Sequence, residues 1–244
     1  MKFKEFYINE SINDKNLMKV IFLAGGPGSG KTFISNMAFT GEPVVYINSD
    51  KITEFLFNKK DLPLVFDKNQ KDIYKRQMDV RNFAKALTDK KLQNAINGLL
   101  PIVIDGTGRD YDGIKTNYDM FKSIGYDPYM LFVNSSLDVS KQRNAKRART
   151  IPEDLVIKYW EASQNNIGKF QELFGRSNFK IIDNNKILTD EEEEKLKLEL
   201  TRLVRTFLNE PLKNIIGRNI ILSLKDIGGT YLSDLDKVET KNEI

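Results

Sequence analysis

Five short apolar runs, rich in β-branched and aromatic residues, stand apart from one another along the chain. They are Val20–Leu23, Val44–Ile47, Ile102–Ile104, Tyr129–Val133 and Phe179–Ile182. Because each run is short and almost continuously apolar, the pattern is typical of buried parallel strands. Polar segments with apolar residues at helical spacing lie between them, as crossover helices on both faces of a sheet require. The pattern predicts a three-layer α/β domain over residues 18–185, with a mostly parallel five-stranded sheet.

A different pattern begins after the last predicted strand. Thr189 and Glu192 have the spacing of a capping box, and apolar residues then recur on one helical face as far as Leu208. We therefore expect an amphipathic helix within a C-terminal helix and tail, residues 186–244. Residues 1–17 precede the first predicted strand as an N-terminal leader segment.

The amino-acid composition narrows the chemistry that this chain can perform. The 244 residues include no His and no Cys, which excludes disulfides, the usual zinc sites and catalytic groups of the Ser-His-Asp or Cys-His type. A catalytic base must therefore be a carboxylate, a lysine or a tyrosine.

Net charge and hydropathy limit which ligands the protein can bind and where in the cell we expect it. The 38 Lys and Arg residues against 34 Asp and Glu give a net charge of +4. This charge is too small for a protein that coats nucleic acid, but it is compatible with a local basic site for a phosphorylated ligand. The sequence has no apolar stretch of membrane-spanning length, and its first 16 residues are too charged for a signal peptide, so we expect a cytoplasmic protein with no membrane partner.

The most specific motif follows the first predicted strand directly. It fits Gly-x-x-x-x-Gly-Lys-Ser/Thr at each fixed position and consists of Gly25, Gly26, Pro27, Gly28, Ser29, Gly30, Lys31 and Thr32. In such a Walker A loop, or P-loop, backbone N–H groups surround phosphate oxygens and the next helix directs the positive end of its dipole to the same anion. Lys31 would meet the β- and γ-phosphates of ATP, and the Thr32 hydroxyl would bind Mg²⁺.

The second predicted strand ends near a carboxylate, Asp50. Ligands of open α/β sheets lie beyond the carboxyl ends of the strands, so Asp50 could accept the proton of an attacking hydroxyl. The alternative is structural: Asp50 or Ser49 could be the N-cap of a helix that begins near Lys51. The two roles are not exclusive.

The third predicted strand also runs into a carboxylate, Asp105. This side chain could hold Mg²⁺ through water or orient a substrate, and Thr107 and Arg109 could grip a phosphorylated or sugar part of that substrate. The alternative is that Gly106 and Gly108 merely make a turn that Asp105 caps.

A short basic segment, residues 143–152, lies between the fourth predicted strand and the next predicted helix. Arg143 and Arg147 are four residues apart and would share a helix face, with Arg149 close behind them. Such a cluster could close over ATP and neutralise charge during phosphoryl transfer. Basic runs are also typical of solvated faces, but the end of the segment at Pro152, where a new helix can start, favours a lid.

Together these residues resemble the zeta-toxin-like branch of the P-loop kinases, which is more distantly related to polynucleotide kinases. The match extends over roughly Val20–Ile182. The resemblance implies a P-loop NTPase fold and an ATP-dependent kinase with an alcohol acceptor, a small nucleotide-sugar-like molecule. By position it assigns ATP and Mg²⁺ to Lys31 and Thr32, the general base to Asp50, the substrate to Thr107 and Arg109, and further ATP contacts to Arg143 and Arg149.

Other acceptors and roles stay open at this point. Asp105 stands where zeta toxins commonly have a glutamate before Gly-Thr-Gly, and the shorter side chain leaves the nucleotide sugar open as the acceptor. A nucleic-acid 5′-hydroxyl end is an alternative, with candidate contacts at Tyr74, Lys75, Arg76 and Arg81 whose spacing equally fits a solvated helix face. A nucleotide-binding protein without transferase activity is a further alternative. An antitoxin-like protein partner is compatible with the resemblance, but the sequence does not identify one.

The N-terminus has a smaller resemblance of its own. Met1–Glu10 is similar to the short leader of internal head proteins of large tailed phages, which is cut after an Ile/Leu-x-Glu triplet such as Ile8, Asn9 and Glu10. This implies packaging in a phage particle. An ordinary N-terminal helix is the alternative.

Overall fold

A five-stranded parallel sheet forms the centre of the computed structural model, which describes residues 16–147 and 150–224. The strands are β1 (Lys19–Ala24), β2 (Val45–Ile47), β3 (Ile102–Asp105), β4 (Asp127–Asn134) and β5 (Phe179–Asp183). Their spatial order is β2-β3-β1-β4-β5, and each neighbouring pair is parallel. The sheet predicted from the apolar runs is confirmed, because each run coincides with one strand.

Helices connect the strands and cover both faces of the sheet. In the described part of the chain they are α1 (Lys31–Phe39), α2 (Ser49–Lys59), α3 (Lys71–Asn97), α4 (Tyr111–Ser123), α5 (Leu137–Ala145), α6 (Glu153–Asn165), α7 (Ile167–Phe174), α8 (Asp190–Asn209) and α9 (residues 215–224). No described helix has the length and apolar character needed to cross a membrane.

One face of the sheet packs against α4 and α7. Because successive side chains of a strand point to opposite faces, Phe22 of β1 and Met130 and Phe132 of β4 lie on this side. They form an apolar cluster with Phe121 of α4 and Phe170 of α7.

The other face packs against α1 and α8. Ile21, Leu23 and Leu131 form its apolar cluster with Ile34 of α1 and Val204 of α8. With helices on both faces, the sheet is the middle layer of the three-layer P-loop fold that the sequence predicts.

The α8 helix begins at the predicted capping box. The Thr189 hydroxyl accepts a hydrogen bond from the backbone of Glu192, whose side chain accepts one from the Thr189 backbone. The inward face of α8 is buried, as the apolar spacing predicts. A domain boundary near residue 186 stays a prediction, and the leader Met1–Glu10 lies outside the described residues.

Helices α2 and α3 form a hairpin with a small apolar core of its own. Phe57, Leu62 and Val80 are its buried centre. Since α2 starts directly after β2, this hairpin extends from the carboxyl end of the sheet, and the first turn of α2 lies at the candidate site.

Candidate active site

The site lies at the carboxyl ends of the parallel strands, where the topology brings several loops together. The P-loop follows β1, Asn48 follows β2, and Asp105 ends β3 next to β1 in register with Leu23. The strand order places β1 between β3 and β4, so loops from both neighbours flank the P-loop.

Glycines let the P-loop fit between β4 and α5. Gly25 and Gly28 have φ angles of 152° and 74°. A Cβ atom at Gly25 would lie 2.4 Å from the carbonyl oxygen of Val133, and one at Gly28 would lie 2.3 Å from that of Ser140. Substitution at either glycine would therefore strain the backbone and displace a neighbouring chain segment.

Two polar side chains of the P-loop are held in a way that suits an anion. The Lys31 ammonium donates to the carbonyl oxygens of Gly25 at 2.8 Å and Gly26 at 3.4 Å. Ser29 is 1% exposed, and its hydroxyl has no hydrogen-bond partner among the described residues. Thr32, in the first turn of α1, is exposed. A phosphate in this loop would give Lys31 a counter-charge and Ser29 an acceptor.

The charge of Lys31 is poorly solvated. Burial lowers the pKa of Lys31, and this effect outweighs the carboxylates of Asp105 and Asp50, which raise it; Arg147 lowers it further. The same interactions show that two carboxylates and one more cation lie within electrostatic range of the P-loop lysine.

Asp105 is held by two neutral donors, one in β2 and one directly after it. The Tyr46 hydroxyl donates to Oδ2 of Asp105 at 2.8 Å, and Nδ2 of Asn48 donates to the same oxygen. Burial, followed by the nearby Asp105 carboxylate, raises the pKa of Tyr46, so the phenol remains a donor. The alternative in which Asp105 caps the Gly106–Gly108 turn is wrong, because its carboxylate faces β2 instead.

Asp50 is not the cap of α2. The helix begins at Ser49, and its N-cap is Asn48, whose Oδ1 accepts from the backbone N–H groups of Asp50 at 2.8 Å and Lys51 at 3.1 Å. The expectation that Ser49 or Asp50 caps a helix from Lys51 is therefore wrong. The Asp50 side chain is exposed and accepts no hydrogen bond from the residues that the structure describes, so its carboxylate is free to meet a ligand.

The loop after β3 is held by α6 and its C-terminal end. The Ser163 hydroxyl donates to the carbonyl oxygen of Thr107 at 3.0 Å. Nδ2 of Asn166 donates to the carbonyl oxygens of Gly108 at 3.1 Å and Arg109 at 3.0 Å. Because backbone groups supply these contacts, the Thr107 and Arg109 side chains stay exposed.

Arg109 lies against an aromatic ring. Its guanidinium carbon is 4.1 Å from the ring centre of Tyr159, a cation–π geometry that limits the positions of the cation. Sequence reasoning gave no role to Ser163, Asn166 or Tyr159, since nothing in their spacing indicates contact with a loop about 50 residues earlier in the chain.

Arg143 and Asn184 tie the P-loop to the loop after β5. Nη1 of Arg143 donates to the carbonyl oxygens of Asn184 at 2.7 Å and Ser29 at 3.5 Å, while Nδ2 of Asn184 donates to that of Ser29 at 2.8 Å. The sequence did not indicate Asn184. Its position directly after an apolar strand is the signal that could have found it.

The basic segment is arranged differently from the expectation. Helix α5 ends at Ala145, so Arg147 lies in the following turn and does not share a helix face with Arg143. Arg147 is exposed and interacts electrostatically with Lys31. Arg149 lies outside the described residues.

Asn144 closes the connection from α5 to α6. Its amide donates to the carbonyl oxygen of Ile151 at 2.7 Å and accepts from the Ile151 N–H at 3.1 Å. These two bonds span the turn that carries Arg147.

The candidate nucleic-acid contacts on α3 are partly engaged in packing. Tyr74 lies edge-on to Phe66, with 6.3 Å between ring centres, and the Arg81 guanidinium lies 5.9 Å from the centre of the same ring. Lys75 and Arg76 are exposed. Lys75 and Arg76 therefore lie on a solvated part of the helix, whereas Tyr74 and Arg81 each contact Phe66.

Several solved structures resemble this chain at low sequence identity. AvrRxo1-ORF1:AvrRxo1-ORF2 with ATP is 13% identical with a TM-score of 0.51, and the match covers 86% of this chain and 80% of that chain. The PezAT toxin-antitoxin system of Streptococcus pneumoniae is 16% identical with a TM-score of 0.48, covering 82% and 90%. The Pnkp1/Rnl/Hen1 RNA repair complex is 17% identical with a TM-score of 0.48, covering 65% of this chain and only 48% of that chain. Curated protein sequences gave no match.

The family comparison extends over most of the chain. The zeta toxin family matches residues 8–194, a range that contains the P-loop, both candidate carboxylates and the basic segment. The chain belongs to the zeta toxin family, and its parallel sheet with helices on both faces forms a three-layer P-loop fold.

Proposed function

We propose that this protein is an ATP-dependent kinase that transfers the γ-phosphoryl group to a hydroxyl of a small nucleotide-sugar-like molecule. The observation that carries the proposal is the Asp50 carboxylate, which accepts no hydrogen bond from the described residues and interacts electrostatically with the P-loop lysine, Lys31. A base next to the phosphoryl donor is what transfer to a hydroxyl requires.

The P-loop residues fit the phosphates of ATP. The buried Ser29 hydroxyl lacks a partner among the described residues, and Lys31 has only backbone carbonyl groups as partners there. Both features are unfavourable in the free protein and are relieved by phosphate oxygens. They support residues Gly25–Thr32 as the ATP site.

Thr32 and Asp105 fit a magnesium ion. Mg²⁺ keeps several waters and typically uses one or two protein ligands together with substrate phosphates, so no cluster of acidic side chains is needed. Thr32 would bind it directly, and Asp105 would do so directly or through water. When bound, the ion would neutralise charge on the β- and γ-phosphates.

The residues of the chain then have distinct tasks in the transfer. Asp50 would take the proton of the acceptor hydroxyl while the oxygen of that hydroxyl forms a bond to the γ-phosphorus. The bond between the γ-phosphorus and the bridging oxygen breaks at the same time, and ADP leaves. Lys31 and Arg147 would balance the charge of the transferring group. Arg143 supports the loop from behind, through its contact with Ser29.

Thr107 and Arg109 would recognise the acceptor. Both side chains are exposed on a loop that α6 holds by its backbone, and Arg109 is oriented by Tyr159. A guanidinium in this position suits a phosphate, and the Thr107 hydroxyl suits a sugar oxygen. A 5′-hydroxyl nucleic acid is supported less well, since the α3 candidates Tyr74 and Arg81 contact Phe66.

Asp50→Asn tests the proposal with γ-labelled ATP, Mg²⁺ and a panel of nucleotide sugars, nucleosides and 5′-hydroxyl oligonucleotides. We expect transfer to fall about 10²–10⁴-fold, because the amide cannot accept the proton. ATP affinity and the melting temperature should persist, since Asn48 remains the cap of α2. Asp72→Asn, a matched change in the first turn of α3, should leave transfer unchanged.

Two results would contradict this assignment in different ways. Transfer by Asp50→Asn at the wild-type rate would move the base to Asp105. Normal ATP binding by the wild-type protein, without transfer to any hydroxyl in the panel, would favour a nucleotide-binding protein without transferase activity.

A further inference from the structure

Asn48 is the point where the two carboxylates of the site are mechanically connected. Its Oδ1 caps α2, the helix that carries Asp50 in its first turn. Its Nδ2 donates to Asp105 at the end of β3. One amide therefore ties the helix of the candidate base to the strand of the candidate metal carboxylate.

The chemistry at this position requires an amide. Asp and Ser cap helices as well as Asn does. A carboxylate at position 48 would have no donor for Asp105 and would face it with like charge, and a serine would be too short to span both contacts. Among good N-cap residues, only Asn supplies an acceptor to the helix and a donor to Asp105 together.

The two donors to Asp105 act on the same atom. Tyr46 and Asn48 both reach Oδ2, while Oδ1 accepts no hydrogen bond from the described part of the chain. Tyr46 is itself fixed by neighbours: its ring lies edge-on to Phe39, and the Lys51 ammonium is 4.6 Å from the ring centre. The carboxylate is thereby held in one rotamer with a single oxygen left for a ligand.

We propose that Asn48 and Tyr46 are positioning residues that hold Asp105 with Oδ1 available to the divalent cation. Asn48 also fixes the position of this carboxylate relative to the helix that carries Asp50. The inference rests on the proposed function, in which Asp105 serves the metal of an ATP-dependent transfer. Partners of this kind orient ligating carboxylates in metal sites, and their loss typically weakens metal affinity about 10- to 100-fold.

Two substitutions separate positioning from folding. Tyr46→Phe removes one donor and keeps the ring. Asn48→Ser removes the other donor and keeps a side chain that can cap α2. Thr189→Ser, which changes a cap residue of α8 far along the chain, is the control for cap chemistry. Asp105→Asn sets the reference for complete loss of the carboxylate.

The measurement is the affinity of Mn²⁺, followed by electron paramagnetic resonance, for each protein in complex with a non-hydrolysable ATP analogue. We expect each single variant to weaken Mn²⁺ binding about 10-fold and the double variant about 100-fold, approaching Asp105→Asn. Binding of the analogue without metal and the melting temperature should change little in the single variants. Thr189→Ser should match the wild type in all three measurements.

The opposing results can be told apart. If Asp105→Asn weakens Mn²⁺ binding and the Tyr46 and Asn48 variants do not, the positioning role is overturned and the proposed kinase stands. If the variants lose stability and metal-free analogue binding together, Asn48 and Tyr46 are structural and the inference is overturned. If Asp105→Asn itself binds Mn²⁺ normally, the inference is overturned at its base, while transfer by the wild-type protein still decides the proposed function.

Discussion

Two lysines at opposite ends of strand β1 have different surroundings. Lys19 begins the strand, and Lys31 lies beyond its carboxyl end, in the P-loop and at the start of α1. Lys19 is 1% exposed and has a carboxylate partner, Asp127, at 2.8 Å. Lys31 donates only to backbone carbonyl groups among the described residues, and burial lowers its pKa.

The contacts around Lys19 are complete. Asp127 lies opposite Lys19 in the β1–β4 register and also accepts from the backbone N–H groups of Lys213 at 2.8 Å and Asn214 at 2.9 Å. The Lys19 ammonium lies 5.2 Å from the ring centre of Phe207. This network joins the connection between α8 and α9 to the amino ends of β1 and β4.

The contacts around Lys31 are incomplete. Asp105 and Asp50 interact with Lys31 electrostatically, but the hydrogen bonds that Asp105 accepts come from Tyr46 and Asn48. The comparison shows how a structural lysine differs from a ligand-binding one. A charge that finds all its partners within the fold stabilises the fold, whereas a charge that lacks an anionic partner at contact distance is available to a ligand.

The largest expected effect on folding is at the Lys19 end. Asp127→Ala leaves a buried ammonium without a counter-charge and two backbone N–H groups without acceptors, so we expect the free energy of unfolding to fall by about 3–5 kcal/mol. Chemical denaturation of the wild type and the variant measures this change in the free energy of unfolding. Asp119→Ala is the control, because its ion pair with Lys115 lies on the exposed surface of α4, where solvent screening leaves it little effect on stability. Equal losses in the two variants would show that the Lys19 network is not special.

Lys31→Met and Lys19→Met test the two lysines against each other. Lys31→Met should weaken ATP–Mg²⁺ binding or transfer about 10²–10³-fold, the usual result of removing a preorganised donor from a developing charge, while the nucleotide-free protein melts no lower than wild type. Lys19→Met should do the reverse, lowering stability and leaving nucleotide affinity unchanged. Calorimetric titration and thermal melts of both variants measure this. Normal nucleotide affinity together with transfer at the wild-type rate in Lys31→Met would remove the P-loop assignment.

The sheet and α8 were predictable because their signals are local. Apolar runs mark buried strands, and the Thr189 capping box marks a helix start within four residues of sequence. Helix α5 was harder, since Leu137–Ala145 is mostly polar and has no continuous apolar face. The break between α6 and α7 at Asn166 has no clear signal in the sequence, because the apolar spacing continues across it.

The residues of the candidate site also divide into those with a local sequence signal and those without one. The P-loop is a contiguous motif, so its eight residues could be found without the fold. The roles of Asn48, Ser163 and Asn184 depend on strands and helices that meet only in the folded chain. The side chain of each donates a hydrogen bond to a backbone carbonyl group or a carboxylate in another segment of the chain. Pattern reasoning has no means to pair such residues across these separations.

The smallest expected effect concerns Asn144, which locks the turn carrying Arg147 by two neutral hydrogen bonds to Ile151. Asn144→Ala should cost about 1–2 kcal/mol, since a neutral hydrogen bond contributes much less than a buried ion pair. We expect faster hydrogen exchange at the Ile151 amide and weaker binding of an ATP analogue, because Arg147 is no longer held near Lys31. Asn214→Ala is the matched control at the Lys19 end, where the same kind of amide donates to the carbonyl oxygens of Lys122 and Tyr126. It should lower stability by a similar amount without changing analogue affinity. If both variants bind the analogue equally well, the Asn144 lock serves folding alone, and the difference between the two ends of the sheet does not extend to this turn.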